Sequence, residues 1–210
     1  GMMSLEERRP NSYPNFIRSY AACAAFADYQ VGRVLDALDS SSMKASTIIW
    51  LISDHGFHLG EKDHIEKFAL WEKSNHIPMI VIAPNVSQGN KVCSAPVDAT
   101  CVYPTLLELC ELPMDGACDG RSIVPLLEDP AGEWETPALM TYGRGNHAVR
   151  SSRWRYIRYA DGSEELYDHN VDALEWKNLA DDPRYQQIKT EHQKWLPKEE
   201  NSPISDLKKK

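Results

Sequence analysis

Two apolar runs constrain the fold of this chain more than any other feature. Thr47–Ser53 is an unbroken series of β-branched and apolar residues, and Pro78–Ala83 is a second. Such runs are typical of strands that are covered on both faces, as in a parallel sheet. A helix is predicted over Ser19–Leu38, because its apolar residues recur three or four positions apart. We therefore expect an α/β unit with two parallel, adjacent strands and this helix packed on one sheet face.

The pattern changes after a stretch rich in proline and acidic residues, 125–137. Short runs of alternating apolar and polar residues, separated by turn residues, indicate an antiparallel sheet. Its strands are predicted at 138–142, 147–150, 154–159 and 165–168. Other helices are predicted over Pro104–Leu109 and Asp182–Leu196, and the polar tail from Pro197 is expected to be disordered.

This reading divides the chain into four regions. They are an N-terminal loop or tag remnant (1–17), a partial α/β core with a long polar loop (18–130), an antiparallel subdomain (131–196) and a polar tail (197–210). Gly1 before Met2 is typical of a cleaved tag, so the natural chain is expected to begin at or after Met2. Since two parallel strands do not make a stable doubly wound sheet, the rest of that sheet is expected to be missing.

Composition limits the classes of partner. The chain has 31 acidic and 23 basic residues, a net charge of −8, which argues against nucleic acid as the main partner. No apolar run is long enough for a membrane span, and no signal peptide begins the sequence, so the compartment stays open. Five cysteines without a CxxC pair favour free thiols, with one bridge among Cys93, Cys110 and Cys118 left open.

The long polar connection between the two apolar runs holds the candidate site. Asp54 and His55 follow the first run, at the strand end where ligands bind in parallel α/β sheets. By spacing alone, an Asp-His pair is as often a plain turn as a site, and a lone Lys67 is more often a solvated charge. The other loop histidines, His58, His64 and His76, are also read first as polar surface residues.

The wider context resembles a known family. Ser53-Asp54-His55-Gly56-x-x-Leu59-Gly60-Glu61, with Lys67 thirteen residues after Asp54, is similar to the C-terminal signature of sulfatases. The likeness is greatest to the iduronate-2-sulfatase type within the alkaline-phosphatase-like superfamily. It continues through Val97-Asp98, Tyr103–Leu107, Gly120–Leu127 and Glu165–Asp168, and covers residues 18–195. It implies the C-terminal part of an alkaline-phosphatase-like α/β sheet, followed by a small antiparallel subdomain with a C-terminal helix.

The resemblance also implies roles for individual residues. Asp54 matches a calcium-ligating aspartate, and His55 matches its neighbour, either as a second metal ligand or as a catalytic hydrogen-bond partner of the nucleophile or the sulfate. Lys67 matches the catalytic lysine that contacts the sulfate group. His64, close to Lys67 in sequence, is a candidate for facing the substrate. The implied substrate is a sulfated carbohydrate, and the implied metal is Ca²⁺.

Other elements that the family requires are absent from the sequence. The formylglycine nucleophile arises from a Cys/Ser-x-Pro-x-Arg motif, which does not occur in these 210 residues, and the paired aspartates that complete the calcium site are also absent. The chain alone is therefore expected to be nearly inactive, to need an N-terminal half as partner, and to self-associate through exposed faces. The resemblance implies that the full-length sulfatase is periplasmic or secreted. Two alternatives stay open: a phosphoesterase or phosphonate hydrolase of the same superfamily, and a non-catalytic, partner-binding half of a split protein.

Overall fold

The computed structural model describes residues 12–114, 116 and 118–200. Its helices are α1 (Ser12–Asp39), α2 (Glu72–Asn75), α3 (Val102–Leu109), α4 (Val124–Glu128) and α5 (Gln186–Gln193). Its strands are β1 (Ile49–Ile52), β2 (His58–Leu59), β3 (Ile65–Glu66), β4 (Met79–Ile82), β5 (Ala138–Thr141), β6 (His147–Arg150), β7 (Trp154–Arg158) and β8 (Glu164–Asp168). Within this part of the chain they form three antiparallel sheets, β1–β4, β2–β3 and β5–β6–β7–β8.

Helix α1 begins earlier than the sequence predicted. The expected start at Ser19 and the expected loop before it are wrong for residues 12–17, which are helical. Pro14 lies in the first turn, where its missing N–H has no intrahelical partner to lose, so the helix tolerates it. The rest of the predicted N-terminal loop, residues 1–11, lies outside the described residues.

Helix α1 is anchored near its start and exposed further along. The ring of Tyr20 contacts that of Phe57 at a centroid distance of 5.4 Å. Farther along, the side chains of Phe26 and Val34 are 65% and 69% exposed, and no residue of the helix is buried. The expected packing of the whole helix on a sheet face is therefore not realised among the described residues.

Strands β1 and β4 are neighbours, but they run antiparallel, so the predicted parallel pairing is wrong. Ile49 pairs with Ile82, and Ile52 pairs with Met79. A parallel return needs a crossover that carries the chain back along the sheet, usually a helix. The only α-helix in the connection 53–78 is the one-turn α2, too short for a crossover, so the connection stays at one end of β1 and the chain re-enters the sheet from that end.

The β1–β4 sheet is covered on one face. Trp50 and Met79 pack against the buried cluster of Cys101, Ile123 and Leu126, which comes from the α3 and α4 region. On the opposite face, the apolar residues remain accessible; Leu51, Ile80 and Ile82 are 38%, 54% and 50% exposed. Coverage of both faces, as the apolar runs predicted, is thus not seen in the described part of the chain.

The sheet β5–β8 is antiparallel, as predicted, and its two faces hold two cores. Alternate residues of its central strands, among them Val149, Tyr156 and Leu166, pack toward α5. The residues between them pack against Leu70, which belongs to the connection after β1. This sheet therefore supports the polar connection on one face and the C-terminal helix on the other.

The C-terminal segment is partly anchored. The predicted helix Asp182–Leu196 is a 3-10 turn, Pro183–Tyr185, followed by α5. The expected disorder from Pro197 is wrong at Glu200, whose carboxylate lies 2.7 Å from Nε2 of the buried His147. The five cysteines are free thiols, and no helix among the described residues is long and apolar enough to cross a membrane.

Candidate functional site

The connection after β1, residues 53–78, folds back against the end of that strand. The backbone N–H of Gly56 donates a hydrogen bond to the carbonyl of Ser74 over 2.8 Å. A Cβ atom at Gly56 would lie 2.1 Å from the carbonyl oxygen of Lys73. Glycine is required here because α2 approaches the backbone closely, and this close approach brings both ends of the connection together beside Asp54.

Three predicted site residues meet at this point. Nε2 of His55 lies 2.6 Å from Nζ of Lys67 and 3.4 Å from a carboxylate oxygen of Asp54. Nδ1 of His55 lies 2.7 Å from the carbonyl oxygen of Gly56. A carbonyl oxygen can only accept a hydrogen bond, so this contact assigns the proton to Nδ1 and leaves Nε2 to accept from the ammonium of Lys67. The imidazole thus orients the lysine.

The backbone around Lys67 is unusual. The residues on each side of it, Glu66 and Phe68, have φ values of +79° and +69°. Positive φ is costly for residues with a side chain, and it persists where the surrounding structure enforces it, often at functional sites. These two conformations turn the short strand β3 out of its pairing with β2 and direct Lys67 toward His55.

Asp54 is the residue of this group that a cation could reach. Its side chain is 83% exposed, and its Oδ1 accepts a hydrogen bond from the N–H of His55 over 3.1 Å. Carboxylate oxygens suit Ca²⁺, whereas imidazole is an unusual ligand for so hard an ion. Both ring nitrogens of His55 also have partners, Gly56 and Lys67. By these contacts, Asp54 fits a calcium site and His55 does not.

The three other loop histidines have different surroundings. His64 lies next to the site: its Nε2 is 3.0 Å from the carbonyl of Lys67, and its ring meets that of Trp71 edge to face. His58 is buried rather than solvated, and burial, together with His64, lowers its pKa. His76 has a side chain that is 75% exposed, and it pairs loosely with Glu72.

A buried charge network, which sequence reasoning missed, holds this connection on the sheet β5–β8. The guanidinium of Arg155, in β7, pairs with carboxylates of Glu72 and Glu175 and donates to the carbonyl of Leu70 over 2.9 Å. Burial raises the pKa of Glu72, but Arg155 and then Arg150 outweigh it and lower the pKa to about 2. The sequence did contain a signal for this network, because the alternation along β7 places Arg155 at a position that faces the core.

The same network contains a group with metal-ligand spacing. One ligand atom each from Glu72, His169 and Glu175 lies within 4.8 Å of the others. However, Arg155 already neutralises both carboxylates, and His169 pairs with Glu175 over 2.9 Å. We therefore interpret this group as a structural ion-pair network and not as a metal site.

Lys62 forms a second tie to the sheet, also missed by sequence reasoning. Its Nζ lies 4.5 Å from the ring centroids of both Trp71 and Tyr167, and it donates to the hydroxyl of Tyr167 over 3.0 Å. It also donates to the carbonyl of Glu175. The charge of Lys62 is thus held between two aromatic rings.

Two cavities share the segment Phe68–Leu70 as part of their lining. The near cavity, of about 230 Å³, is lined by two of the three site residues, His55 and Lys67, and by Thr141 of β5 and Tyr142, which follows that strand. The second, here called the aromatic cavity, has a volume of about 310 Å³. It is lined by His64, Phe68, Ala69, Leu70, Trp71, Tyr142, Asn146 and Tyr159. The site therefore opens on two adjoining depressions with Phe68 and Tyr142 between them.

Comparison with known proteins gives consistent results along the chain. A family model described as "Sulfatase" matches residues 4–112, and one described as "N-sulphoglucosamine sulphohydrolase, C-terminal" matches residues 60–202. A sulfatase of Formosa agariphila is 43% identical over 186 residues, covering 88% of this chain and 36% of the relative.

Solved structures agree in fold. A 2-O GAG sulfatase has a TM-score of 0.76 at 26% identity, covering 87% of this chain and 42% of that one. A phosphonate monoester hydrolase of Agrobacterium radiobacter has a TM-score of 0.70 at 25% identity, covering 81% and 38%. The chain spans between 36% and 42% of the length of these three proteins.

Proposed function

The chain belongs to the sulfatase family, and from this premise we propose that it is the part of a sulfate ester hydrolase that contacts the sulfate group. The family resemblance and the alkaline-phosphatase-like α/β class are confirmed by the matches; the iduronate-2-sulfatase type within the family stays a prediction. The observation that carries the proposal is the 2.6 Å contact between Lys67 and His55 at the end of β1.

Lys67 is proposed as the catalytic group of this chain. Negative charge builds on the sulfuryl oxygens and on the leaving ester oxygen as the ester bond breaks, and an ammonium placed beside them stabilises that charge. His55 is proposed as its positioning partner. Because its Nδ1–H donates to Gly56, its Nε2 is left to accept from Lys67, which directs the ammonium into the near cavity.

Asp54 is proposed as a ligand of Ca²⁺. A bound Ca²⁺ would supply positive charge that polarises the sulfate ester. One carboxylate is far short of the six to eight oxygen ligands that Ca²⁺ takes, so we expect weak affinity in this chain alone. The remaining ligands and the nucleophile are proposed to come from a segment outside these 210 residues, which contain no Cys/Ser-x-Pro-x-Arg motif. That segment is the proposed partner.

The proposed substrate class is a sulfated carbohydrate. Support comes from the relative described as a 2-O GAG sulfatase and from the match to the C-terminal N-sulphoglucosamine sulphohydrolase model. The mixed aromatic and polar lining beside Lys67 is also consistent with a sugar, since sugar rings stack on aromatic faces and hydrogen-bond at their edges.

Complementation tests the proposal. The chain would be combined with the N-terminal part of the Formosa agariphila sulfatase. Sulfate release from sulfated sugars would be measured as the activity, and calcium binding would be measured separately by calorimetric titration. Activity and calcium binding should appear together. Asp54→Ala should abolish both, whereas Lys67→Ala should lower turnover by roughly 10²-fold or more while calcium still binds. Lys44→Ala is the matched control and should stay fully active, since Lys44 has a 62% exposed side chain that pairs with Asp39.

Three results would redirect the proposal. Full activity in Lys67→Ala would remove the role given to that residue. Faster hydrolysis of a phosphonate monoester than of a sulfate ester would favour the alternative reading, for which the likeness to the Agrobacterium radiobacter enzyme is the specific observation. A well-folded complex without either activity would favour a non-catalytic, partner-binding protein.

A further inference from the structure

The aromatic cavity adjoins the proposed sulfate site and shares a wall with it. Phe68 and Tyr142 line both cavities, and their ring centroids lie 5.9 Å apart at an interplanar angle of 45°. Their side chains are 61% and 50% exposed. Exposed aromatic faces grouped at a concave site are typical of ligand-binding surfaces, because contact with a ligand removes them from water. A ligand held at Lys67 would extend over this wall.

The two cavities differ in charge. Lys67 gives the near cavity a cation, with Nζ 5.5 Å from the ring centroid of Phe68. The aromatic cavity has no Lys, Arg, Asp or Glu among the described residues that line it. Behind its wall lies a carboxylate, Glu165, which accepts hydrogen bonds from Trp71 over 2.7 Å and from Tyr159 over 3.1 Å. The ammonium of Lys62 lies 4.5 Å from the ring centroid of Trp71 and donates to Tyr167, whose hydroxyl in turn donates to Glu165, so the charges behind the wall compensate each other. An anionic group in the aromatic cavity would find no Lys or Arg in the lining to pair with.

The polar lining is suited to hydroxyl groups. The carboxamide of Asn146 and the rings of His64 and Tyr159 border the cavity between its aromatic faces. Asn146 is fixed in place, since its Oδ1 accepts from the N–H of Ala160 over 3.1 Å and its Nδ2 donates to the carbonyl of Arg144 over 3.2 Å. A volume of about 310 Å³ lies at the small end of ligand pockets, which begin near 300 Å³.

We infer that the aromatic cavity is a subsite for one uncharged sugar ring, joined to the sulfated unit that is held at Lys67. This inference rests on the proposed function and adds to it a rule of specificity: the unit next to the reacting sulfate is neutral. A pyranose presents C–H faces to Phe68 and Tyr142 and hydroxyls to the polar border, whereas an aryl group would use the faces alone. A second sulfate would be disfavoured, because it would leave water without gaining a Lys or Arg partner from the lining.

Nuclear magnetic resonance of the chain itself tests the inference. The probes are inorganic sulfate, galactose 6-sulfate, the same sulfated galactose joined to unsulfated glucose, that disaccharide with a second sulfate on its glucose, and methylumbelliferyl sulfate. The singly sulfated disaccharide should bind roughly three- to tenfold more tightly than galactose 6-sulfate, the gain expected from one aromatic stacking contact. Its titration should shift the ring signals of Phe68 and Tyr142 together with those of His55.

Variants separate a specific subsite from a general effect. Tyr142 also lines the near cavity, so the readout is the ratio of the two affinities. Tyr142→Ala should remove the gain of the disaccharide over galactose 6-sulfate, while Tyr142→Phe should keep that gain. Tyr103→Ala removes an aromatic ring of similar exposure, 55%, from α3, outside both cavities, and should change nothing.

The possible results separate failure of the subsite from failure of the proposed function. Equal affinity for the mono- and disaccharide, a gain that survives Tyr142→Ala, or tighter binding of the doubly sulfated or aryl probe would overturn the inference. If any of these occurs while the sulfated probes still shift the signals of His55, the proposed function stands without the subsite. If no probe shifts His55, Phe68 or Tyr142, both the proposed function and the subsite are refuted.

Discussion

Replacing Arg155 with methionine tests whether the buried charge network stabilises the site connection. The guanidinium is 2% exposed and pairs with Glu72 and with Glu175, which is 1% exposed. Methionine has a similar length and no charge, so Arg155→Met keeps the volume and removes the pairing. It leaves the buried carboxylate of Glu175 and the half-buried one of Glu72 without their main cation, and the carbonyl of Leu70 without its donor.

Two estimates of the magnitude agree. A carboxyl whose pKa falls from 4.5 to about 2 on folding, as for Glu72, gains about 3 kcal/mol of stability at neutral pH. Removal of one partner from a buried ion pair costs about 3–5 kcal/mol, because the other charge stays buried. We therefore expect the free energy of unfolding of Arg155→Met to fall by about 3–5 kcal/mol at pH 7, a large part of a typical domain's total.

Urea unfolding followed by circular dichroism at pH 7 and pH 4 measures this loss. Protonation relieves a buried carboxylate that has lost its cation, so the loss should be smaller at pH 4 than at pH 7. The matched control is Arg184→Met. Arg184 pairs with Asp182 over 2.5 Å, but their side chains are 78% and 25% exposed, so its loss should be much smaller. Equal losses in the two variants, or a loss for Arg155→Met that does not depend on pH, would refute the reasoning.

Three further predictions follow from particular residues. The unmodified chain should lose stability as pH falls from about 4.5 toward 2, because the depressed pKa of Glu72 stabilises the fold only while that group is ionised; acid titration of unfolding free energy that stays flat across this window would contradict the prediction. Gly56→Ala should destabilise the connection, since the new Cβ would lie 2.1 Å from a backbone oxygen, and should weaken the contact between His55 and Lys67, which the nitrogen chemical shifts of the imidazole would report. Gly32→Ala is the control: a Cβ there has nothing within 4 Å, so the change should instead stabilise helix α1 by about 0.5–1 kcal/mol. The chain should self-associate through the exposed apolar faces of α1 and the β1–β4 sheet, and light scattering that finds a monomer at all concentrations would count against this.

The sequence predicted where the strands lie better than how they pair. Apolar runs located β1 and β4, and alternation located β5 to β8, because burial selects residue types along each strand. The relative direction of two strands does not follow from such patterns. An apolar run has the same composition in either orientation, and only the path of residues 53–78 determined that β4 returns antiparallel to β1.

The candidate site was predictable in part. Asp54 and His55 follow a strand, and strand ends have a known relation to ligand sites. Lys67 is twelve residues from His55 with no periodicity to connect them, so only the resemblance to a family selected it. Its actual approach depends on positive φ values at Glu66 and Phe68, which are residues with no intrinsic preference for that conformation. Tertiary contacts must therefore enforce them.

Those contacts come from the sheet β5–β8, which explains why the site needs a part of the chain that holds none of the predicted site residues. Arg155 of β7 fixes Glu72 and the carbonyl of Leu70. Lys62 is held by Tyr167 of β8, and Trp71 by Glu165 of the same strand. These ties lie on both sides of Lys67 in sequence, so the segment between them has little freedom to relax. The geometry of Lys67 is thus determined by residues about 90 to 110 positions further along the chain, and no local pattern around Lys67 contains that information.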